Sequence, residues 1–428
     1  MTQKLEVTPA ATRSPYIQHA VHDSQWQAAV HEWRTNWRVG LAAFLAIGLS
    51  YGAFQGISSL FILPLQETFG WSRTQIVLSH YASLALAIIA PFAGRLIDRF
   101  GARYIMLWGM SLSAIAYVAL AAMNGSLAVF YTLMIMSAVC GLSSSGLTCS
   151  RVISETFVRS RGLSLAIARS GLALASAALP ILLFTVISRF GWRAGYIMEA
   201  LLVLFVALPA VYFWIGRSHE HEVRDTATSS AGLPSWGDLL SNRRIWLLCI
   251  GAGLGYAPAT SIMSQFQPLL MTKGITAESA AALVGVAGIA SLLGALVTGS
   301  LVDRYWAPGI AFLFACGSAV GSSMLALNAP IEGPIAWGAV LLIGFGLGAE
   351  IDVVAYMVAR YFGVKSFASF YGLAIFFMAA CGAIGASLLA MAFDHYGNYD
   401  LALFVIAGCF ITAGCTYLLM GRYPREDD

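Results

Sequence analysis

Apolar runs close to 20 residues long recur from one end of this sequence to the other. A helix of about 20 residues spans the hydrocarbon core of a bilayer, which is about 30 Å thick. Hydrophobic residues make up 59% of the chain and charged residues 11%, against about 25% charged residues in soluble domains. Such a chain cannot cover a soluble globule with polar side chains. A soluble enzyme is therefore excluded, and a multi-pass membrane protein is predicted.

The apolar runs predict an all-α membrane protein with twelve transmembrane helices. The predicted helices cover 38–62, 74–95, 103–123, 127–152, 162–188, 193–215, 245–269, 278–301, 309–327, 334–358, 367–392 and 400–421. The expected domains are an N-terminal tail at 1–37, six-helix bundles at 38–215 and 245–421, a polar linker at 216–244 and a C-terminal tail at 422–428.

Basic residues concentrate in alternate loops, which predicts the orientation of the chain. If both termini are cytoplasmic, 18 of the 24 Lys and Arg residues lie in cytoplasmic loops and tails, and four lie outside. Cytoplasmic loops of membrane proteins carry such an excess of Lys and Arg. We therefore expect both termini in the cytoplasm and the helices in the cell inner (plasma) membrane.

The two halves of the sequence repeat at an offset of about 205 residues. Tyr51 aligns with Tyr256, and the pair Asp98-Arg99 aligns with Asp303-Arg304. Six helices followed by six in the same sense predict two pseudo-symmetric bundles related by an axis along the membrane normal. In folds of this kind the substrate site lies near the middle of the membrane, between the repeats.

Several other classes of site have no sequence signal. The seven cysteines lie inside apolar runs without a CxxC pair, so no disulfide framework or zinc site is predicted. No GxxxxGK[ST] motif is present, so ATP is not the expected energy source. No basic run points to nucleic acid. We expect no enzymatic activity, cofactor, metal or nucleic-acid partner, and a chain that works as a monomer in the lipid bilayer.

A short motif carries a family resemblance. Residues 94–103 read Gly-Arg-Leu-Ile-Asp-Arg-Phe-Gly-Ala-Arg, and a degenerate copy follows at 299–304. This motif resembles the loop between helices 2 and 3 of the major facilitator superfamily, which implies two bundles that rock around a central site. In that family the aspartate helps latch the two halves in the outward-open state. The residues to which the resemblance and the neighbouring charges assign gating are Asp98, Arg99, Arg151, Arg161, Asp303 and Arg304.

Two further motifs narrow the resemblance. The segment 69–73, Phe-Gly-Trp-Ser-Arg, and the pair Arg161-Gly162 are similar to the monocarboxylate-porter and oxalate/formate-antiporter group. Members of that group commonly carry a basic residue in helix 8 or helix 11 that holds the carboxylate. Here 278–301 and 367–392 contain neither Lys nor Arg. The substrate of the group therefore cannot be carried over unchanged.

Ionisable residues at membrane depth are rare and mark functional sites. Arg169 lies eight residues into helix 5, about 12 Å from its start at 1.5 Å per residue. A guanidinium at that depth needs an anion, and its fork suits a carboxylate. Substrate binding and a structural or gating salt bridge remain alternative roles.

The acidic candidates lie in helix 10. Glu350 and Asp352 are two residues apart, about 200° of helical rotation, so they face different ways. Either could carry a proton or pair with Arg169 or Arg151. His80 in helix 2 is a further candidate for proton coupling, and a hydrogen-bonded helix contact is its alternative role. Glu199 is expected on a peripheral helix.

Polar stripes on helices 1 and 7 recur at the repeat offset and predict a cavity lined from both halves. The predicted substrate contacts are Arg169, Tyr51, Gln55, Tyr256, Thr260 and Asp352. Hydrogen bonds between packed helices are the alternative role for these hydroxyl and amide groups.

Together these features predict a secondary active transporter of a small organic anion, a monocarboxylate, that works by proton-coupled symport and alternating access. Its expected partners are a carboxylate substrate and protons. Two alternatives remain open: an efflux antiporter for a hydrophobic or amphipathic compound, in which Arg169 is a structural salt-bridge partner, and an anion exchanger.

Overall fold

A computed structural model describes residues 15–157, 160–216, 242–302, 304–327, 330, 333–362 and 367–423. The N-terminal half folds into a bundle (the N bundle) in which short 3₁₀ or π turns join several helices into longer rods. Its helices are α1 (Pro15–Gly48), α2 (Tyr51–Ile57), α3 (Ile62–Phe69), α4 (Arg73–Val77), α5 (Ala82–Phe100), α6 (Ala102–Ala121), α7 (Leu127–Gly141), α8 (Gly146–Thr156), α9 (Arg161–Phe190), α10 (Trp192–Leu202) and α11 (Leu208–Trp214).

The C-terminal half folds into a second bundle (the C bundle), and no β-strand occurs within the described ranges of either half. Its helices are α12 (Arg243–Ser264), α13 (Phe266–Thr272), α14 (Ala277–Val302), α15 (Ala307–Leu327), α16 (Gly333–Phe362), α17 (Phe367–Tyr396) and α18 (Asp400–Leu418). Most of the predicted linker, 217–241, lies outside the described residues.

The expected membrane spans are largely present as helices. Ten helices in the described part of the chain are long and apolar enough to cross a membrane, and the rods 30–48 and 51–69, bent by 42°, form an eleventh together. The segment from Arg73 to Phe100 occupies the place of the second expected span as three consecutive helical pieces. The multi-pass helical fold is therefore confirmed, whereas the count of twelve stays a prediction.

The first span differs from the predicted straight helix at 38–62. Helix α1 begins at Pro15, so the residues expected as a tail are helical from there on, and it ends at Gly48. Ser50 is extended, with φ −79° and ψ 169°, which interrupts the helical hydrogen bonds. The break lies where two backbones cross closely, because a Cβ at Gly48 would lie 2.8 Å from the carbonyl oxygen of Gly171.

Successive spans alternate in direction, so the fold has two faces. We call the terminal face the side on which α1 begins and α18 ends, and the opposite face the other side. The two bundles meet where α9 packs on α14 and where α4 and α5 pack on α17. Small residues allow the first of these approaches, since a Cβ at Gly288 would lie 2.7 Å from the Cβ of Ser176.

Candidate substrate site between the bundles

Arg169 lies between the two bundles. It follows the start of α9 by eight residues, and its side chain is exposed within the fold. The guanidinium interacts electrostatically with Asp352 and Tyr371 of the C bundle. It forms no hydrogen bond or salt bridge with any residue that the structure describes. The predicted depth thus coincides with a cationic group that faces the other bundle.

Three helices of the C bundle supply the groups around Arg169. Asp352 lies on α16, Tyr371 lies on α17 close enough to interact with both charges, and Tyr256 of α12 interacts with Tyr371. We call Arg169, Asp352, Tyr371 and Tyr256 the Arg169 site. It combines one cation, one carboxyl group and two phenolic hydroxyl groups, which suits an anionic ligand that also accepts hydrogen bonds.

The sequence prediction did not include Tyr371, because only basic residues of the eleventh predicted helix were considered as substrate ligands. The available signal was a hydroxyl group on the first turns of an otherwise apolar helix, since Tyr371 follows the start of α17 by four residues. Thr260, a predicted contact, donates its hydroxyl hydrogen bond back to the carbonyl oxygens of Tyr256 and Ala257, at 3.0 and 3.1 Å.

Glu350 points away from the Arg169 site. Its carboxylate accepts a hydrogen bond from the hydroxyl of Tyr417 on α18, and it packs against Gly255 on α12, where a Cβ would clash with it. Glu350 therefore lies among helices of the C bundle, while Asp352 faces Arg169. The two carboxyl groups, both on α16, therefore have different neighbours.

The candidates in the N bundle form a separate cluster. Tyr51 is 7% exposed, and its ring centre is 6.0 Å from that of Phe54 in the bundle core. Gln55 is half-buried on the same helix, one turn along. His80 Nε2 is 3.4 Å from the hydroxyl oxygen of Ser58, beside a cavity of about 20 Å³. None of these contacts involves a described residue of the Arg169 site.

Glu199 is buried in the core of the N bundle, at 2% exposure. Its Oε1 has no hydrogen-bond partner among the described residues, and its charge would interact with Tyr117. Burial of an ionised carboxylate without partners is costly, so Glu199 is expected to be neutral and structural.

The predicted gating residues whose side chains the structure describes, Arg99, Arg151 and Arg304, lie at the terminal face. Arg151 Nε donates to Glu155 Oε1 at 2.9 Å, one helical turn away. Arg99 and Arg304 are exposed there, and the Arg99 guanidinium carbon lies 5.4 Å from the ring centre of Phe100. The side chains of Asp98 and Arg161, and residue Asp303, lie outside the described part of the chain.

A partly buried contact joins the bundles at the opposite face. The backbone N–H groups of Arg73 and Thr74, at the start of α4, donate to the two carboxylate oxygens of Asp394 at 3.2 and 2.9 Å. The Arg73 guanidinium carbon lies 3.5 Å from the ring centre of Phe393. Its Nη1 group donates a hydrogen bond to the hydroxyl of Tyr399. We call Arg73, Thr74, Asp394 and Tyr399 the opposite-face latch.

The fourth member of the opposite-face latch, Tyr399, contributes a neutral phenolic hydroxyl group. Burial raises the pKa of Tyr399 to about 12, so its hydroxyl keeps its proton and donates to Gln265 Oε1 at 2.9 Å. Arg73 itself is 6% exposed. In the sequence analysis, Arg73 is used only as one of the four basic residues in non-cytoplasmic loops. It also belongs to the segment 69–73 that carries the family resemblance. Its partner in α17 is 321 residues away, which no local pattern reveals.

The sequence profile of the Major Facilitator Superfamily matches residues 43–386. The chain belongs to this superfamily. The resemblance in the signature motif is thus confirmed across most of the chain, and the protein is a membrane transporter rather than an enzyme.

Curated relatives within the superfamily include transporters of several substrates. Monocarboxylate transporter 11 of Mus musculus is 26% identical, with 91% of this chain and 87% of the relative covered. Monocarboxylate transporter 13 of Bos taurus is 26% identical, with 90% and 88% covered. A probable L-galactonate transporter of Escherichia coli K12 is 24% identical, with 85% of each chain covered.

A solved structure shares the fold. The crystal structure of a bacterial homologue of the human lysosomal transporter Spinster, in an inward-facing and unoccupied conformation, superimposes with a TM-score of 0.70. The two sequences are 16% identical, and the match covers 90% of this chain and 98% of that chain. A contact that joins the two bundles on one face is expected to favour conformations that are closed at that face.

We predict that Asp394→Ala opens the opposite face. The substitution removes two hydrogen bonds between the bundles, each expected to contribute about 1 kcal/mol, because Asp394 is exposed and solvent weakens such bonds. The population open at that face should therefore rise at least tenfold. Spin labels at Glu67 and Tyr396, both exposed, in a background without native cysteines would report the change as a longer distance.

Asp400→Ala is the matched control for the latch. Asp400 accepts from the Lys273 ammonium on the same face but within the C bundle, so its loss should leave the label distance unchanged. An unchanged distance in Asp394→Ala, or an equal change in Asp400→Ala, would show that the latch does not hold the bundles together.

Proposed function

We propose that this protein is a secondary active transporter of a small organic anion, a monocarboxylate, coupled to protons by symport. The observation that carries the proposal is the position of Arg169, an exposed guanidinium between the bundles that faces Asp352 and has no salt bridge to a described residue. A planar guanidinium binds a carboxylate through two parallel hydrogen bonds. A substrate carboxylate would therefore occupy the space beside Arg169.

The neighbouring groups fit a hydroxy- or oxo-substituted carboxylate. Tyr371 and Tyr256 both lie on the C-bundle side of Arg169, and each hydroxyl can donate to or accept from a polar substituent. Apolar and small residues flank Arg169 along α9, such as Leu165 and Ala173, so further polar contacts to a ligand would come from the C bundle. The proposed contacts of Tyr51, Gln55 and Thr260 are not needed for this arrangement.

Proton coupling would arise from the electrostatic interaction of Asp352 with Arg169. In the empty site the two side chains balance each other's charge. A second carboxylate beside the same guanidinium leaves one negative charge in excess, and uptake of a proton by Asp352 removes it. Substrate and proton would thus bind together, which is the condition for symport, and Glu350, bound by Tyr417, would serve the packing of the C bundle.

The latch supports alternating access. It joins the bundles at the opposite face, which corresponds to a state open or opening toward the terminal face. We propose that the terminal face is cytoplasmic, in agreement with the distribution of basic residues, and that the protein resides in the plasma membrane. The names of the monocarboxylate relatives and of the probable L-galactonate transporter agree with an organic anion as substrate.

The proposal is tested with purified protein in proteoliposomes and a panel of labelled compounds. Small monocarboxylates should accumulate when the outside is made acidic, and neutral amides of the same size should not. A tenfold preference for the carboxylate is the smallest effect expected, since a charge-paired site discriminates by about 1.4 kcal/mol or more.

Two outcomes would support the alternatives. Uptake of carboxylate that needs an internal carboxylate and ignores the pH gradient indicates an anion exchanger. Transport of hydrophobic compounds with no response to carboxylates indicates an efflux protein, in which Arg169 and Asp352 form a structural pair.

A further inference from the structure

A second charged cavity lies at the terminal face of the C bundle, and one of its lining residues, Tyr356, follows Asp352 of the Arg169 site by one turn of α16. Its volume is about 710 Å³, within the range of about 300–1,000 Å³ that is typical of small-molecule sites. Three guanidinium groups line it, those of Arg304, Arg360 and Arg422, together with the aromatic rings of Tyr305, Trp306 and Tyr423. We call this cavity the terminal-face pocket.

The three arginines are uncompensated within the described structure. Arg304, Arg360 and Arg422 are all exposed, and none of them forms a salt bridge with a described carboxylate. They come from three separate parts of the chain: the turn after α14, the last turn of α16 and the segment after α18. Cationic groups that converge from separate elements without counter-charges make a site for an anion.

Aromatic contacts hold the wall of the terminal-face pocket in place. The Tyr423 hydroxyl accepts a hydrogen bond from the backbone N–H of Ala307 at 3.0 Å. The Arg360 guanidinium carbon lies 4.9 Å from the Tyr423 ring centre, within the range of a cation–π contact. The ring of Tyr423 also lies 5.1 Å from that of Tyr361. The position of the Arg360 guanidinium is therefore set by the fold.

The pocket lies at the ends of three apolar helices, where a lipid headgroup would be expected. Its residues follow the apolar part of α14, close α16 and follow α18, so they lie where three spans leave the hydrocarbon. Tyr305 is 62% exposed and Trp306 36%, and these residue types concentrate at the membrane–water boundary. Leu419, 64% exposed one half-turn before Gly421, offers an apolar surface beside the pocket.

We propose that the terminal-face pocket binds the phosphate group of an anionic phospholipid. The guanidinium groups of Arg360 and Arg422 would hold the phosphate oxygens, since the planar fork of Arg matches phosphate as well as carboxylate. The exposed rings would lie along the glycerol region, and the acyl chains would pass over Leu419. Basic pockets at the cytoplasmic ends of spans are known to bind such headgroups. This inference does not depend on the proposed substrate.

The test is a lipid titration of the purified full-length protein, read by native mass spectrometry. Phosphatidylglycerol should bind more tightly than phosphatidylcholine of the same chain length. In Arg360→Gln/Arg422→Gln, the affinity for phosphatidylglycerol should fall roughly 30-fold, since each basic residue near an anionic surface contributes about fivefold. Arg189→Gln/Arg193→Gln, which removes two exposed arginines at the opposite face, is the matched control and should bind like the original protein.

A charge-conserving variant and a soluble anion complete the test. Arg360→Lys/Arg422→Lys keeps the positive charges but loses the planar guanidinium groups, so it should retain part of the affinity for phosphatidylglycerol. This variant replaces the glutamine variant in the test if the latter does not fold. Inorganic phosphate and glycerol 3-phosphate should not displace the lipid at millimolar concentration. If they do, the pocket binds a soluble phosphate compound and the lipid is rejected as its source. Equal affinity of the glutamine variant and the control for phosphatidylglycerol would overturn the proposal.

Discussion

Arg169→Ala should abolish substrate binding while the protein remains folded. The substitution removes the cation with which a substrate carboxylate would pair, and a bound substrate would shield that contact from water. Loss of one partner of a buried charge pair costs about 2–5 kcal/mol, or roughly 30- to 4,000-fold in affinity. Arg169→Lys keeps the charge and loses the two parallel hydrogen bonds, so its affinity should lie between those of the original protein and the alanine variant.

The measurement is the affinity of purified, monodisperse protein for the best transported carboxylate, by calorimetry or substrate-protected labelling. Arg189→Ala is the matched control, because Arg189 is an exposed arginine on the same helix, α9, beyond the reach of the site. It should bind substrate normally.

A structural salt bridge predicts a different pattern. If Arg169 serves mainly to neutralise Asp352, then Arg169→Ala should destabilise the protein, and adding Asp352→Asn should restore its stability. If folded Arg169→Ala binds carboxylate with the original affinity, Arg169 is not the anion site. The carboxylate proposal would then lose its main support, since helices 8 and 11 offer no other basic residue.

The sequence predicted the fold because the bilayer imposes a simple rule. Every span must be a helix of about 20 apolar residues, so counting apolar runs locates most of the structure. The rule says nothing about where a span bends. The break after Gly48 depends on the close crossing with Gly171, a contact between residues more than a hundred positions apart, and no local pattern encodes it.

The site was predictable in part, for a related reason. An ionisable side chain in an apolar helix is easily recognised in a sequence. Arg169 and the acidic residues of the tenth predicted helix could therefore be found because placing a charge inside a membrane costs free energy. Which carboxylate faces Arg169 depends on the rotation of α16 against its neighbours. Glu350 lies inside the C bundle because it accepts a hydrogen bond from Tyr417 and packs against Gly255. Neither residue is near Glu350 in the sequence.

The repeat misled in one respect. Tyr51 and Tyr256 align at the offset, and the symmetry predicts equivalent positions at the cavity. The two residues have different surroundings, however, because Tyr51 packs in the core of the N bundle whereas Tyr256 interacts with Tyr371. Pseudo-symmetry relates the backbones of the two halves, while the side-chain environment follows from the local sequence of each bundle.

Asp352→Asn should uncouple transport from the proton gradient. An imposed pH difference of one unit supports about tenfold accumulation when one proton moves with each substrate, because it corresponds to about 1.4 kcal/mol. The amide mimics the protonated acid, so the loaded carrier can still change its open face, but it can neither take up nor release a proton. Accumulation should fall from about tenfold to about onefold, while exchange of external for internal substrate continues.

Glu350→Gln distinguishes a proton carrier from a packing residue on the same helix. The amide can still accept the hydrogen bond from Tyr417, so this variant should fold and accumulate substrate on the gradient. Both activities are measured in the same proteoliposomes, with exchange serving as the control for folded protein. If Glu350→Gln loses accumulation and Asp352→Asn keeps it, Glu350 is the proton carrier. If both variants accumulate substrate normally, neither carboxyl group carries the proton, and an anion exchanger becomes the better account of the Arg169 site.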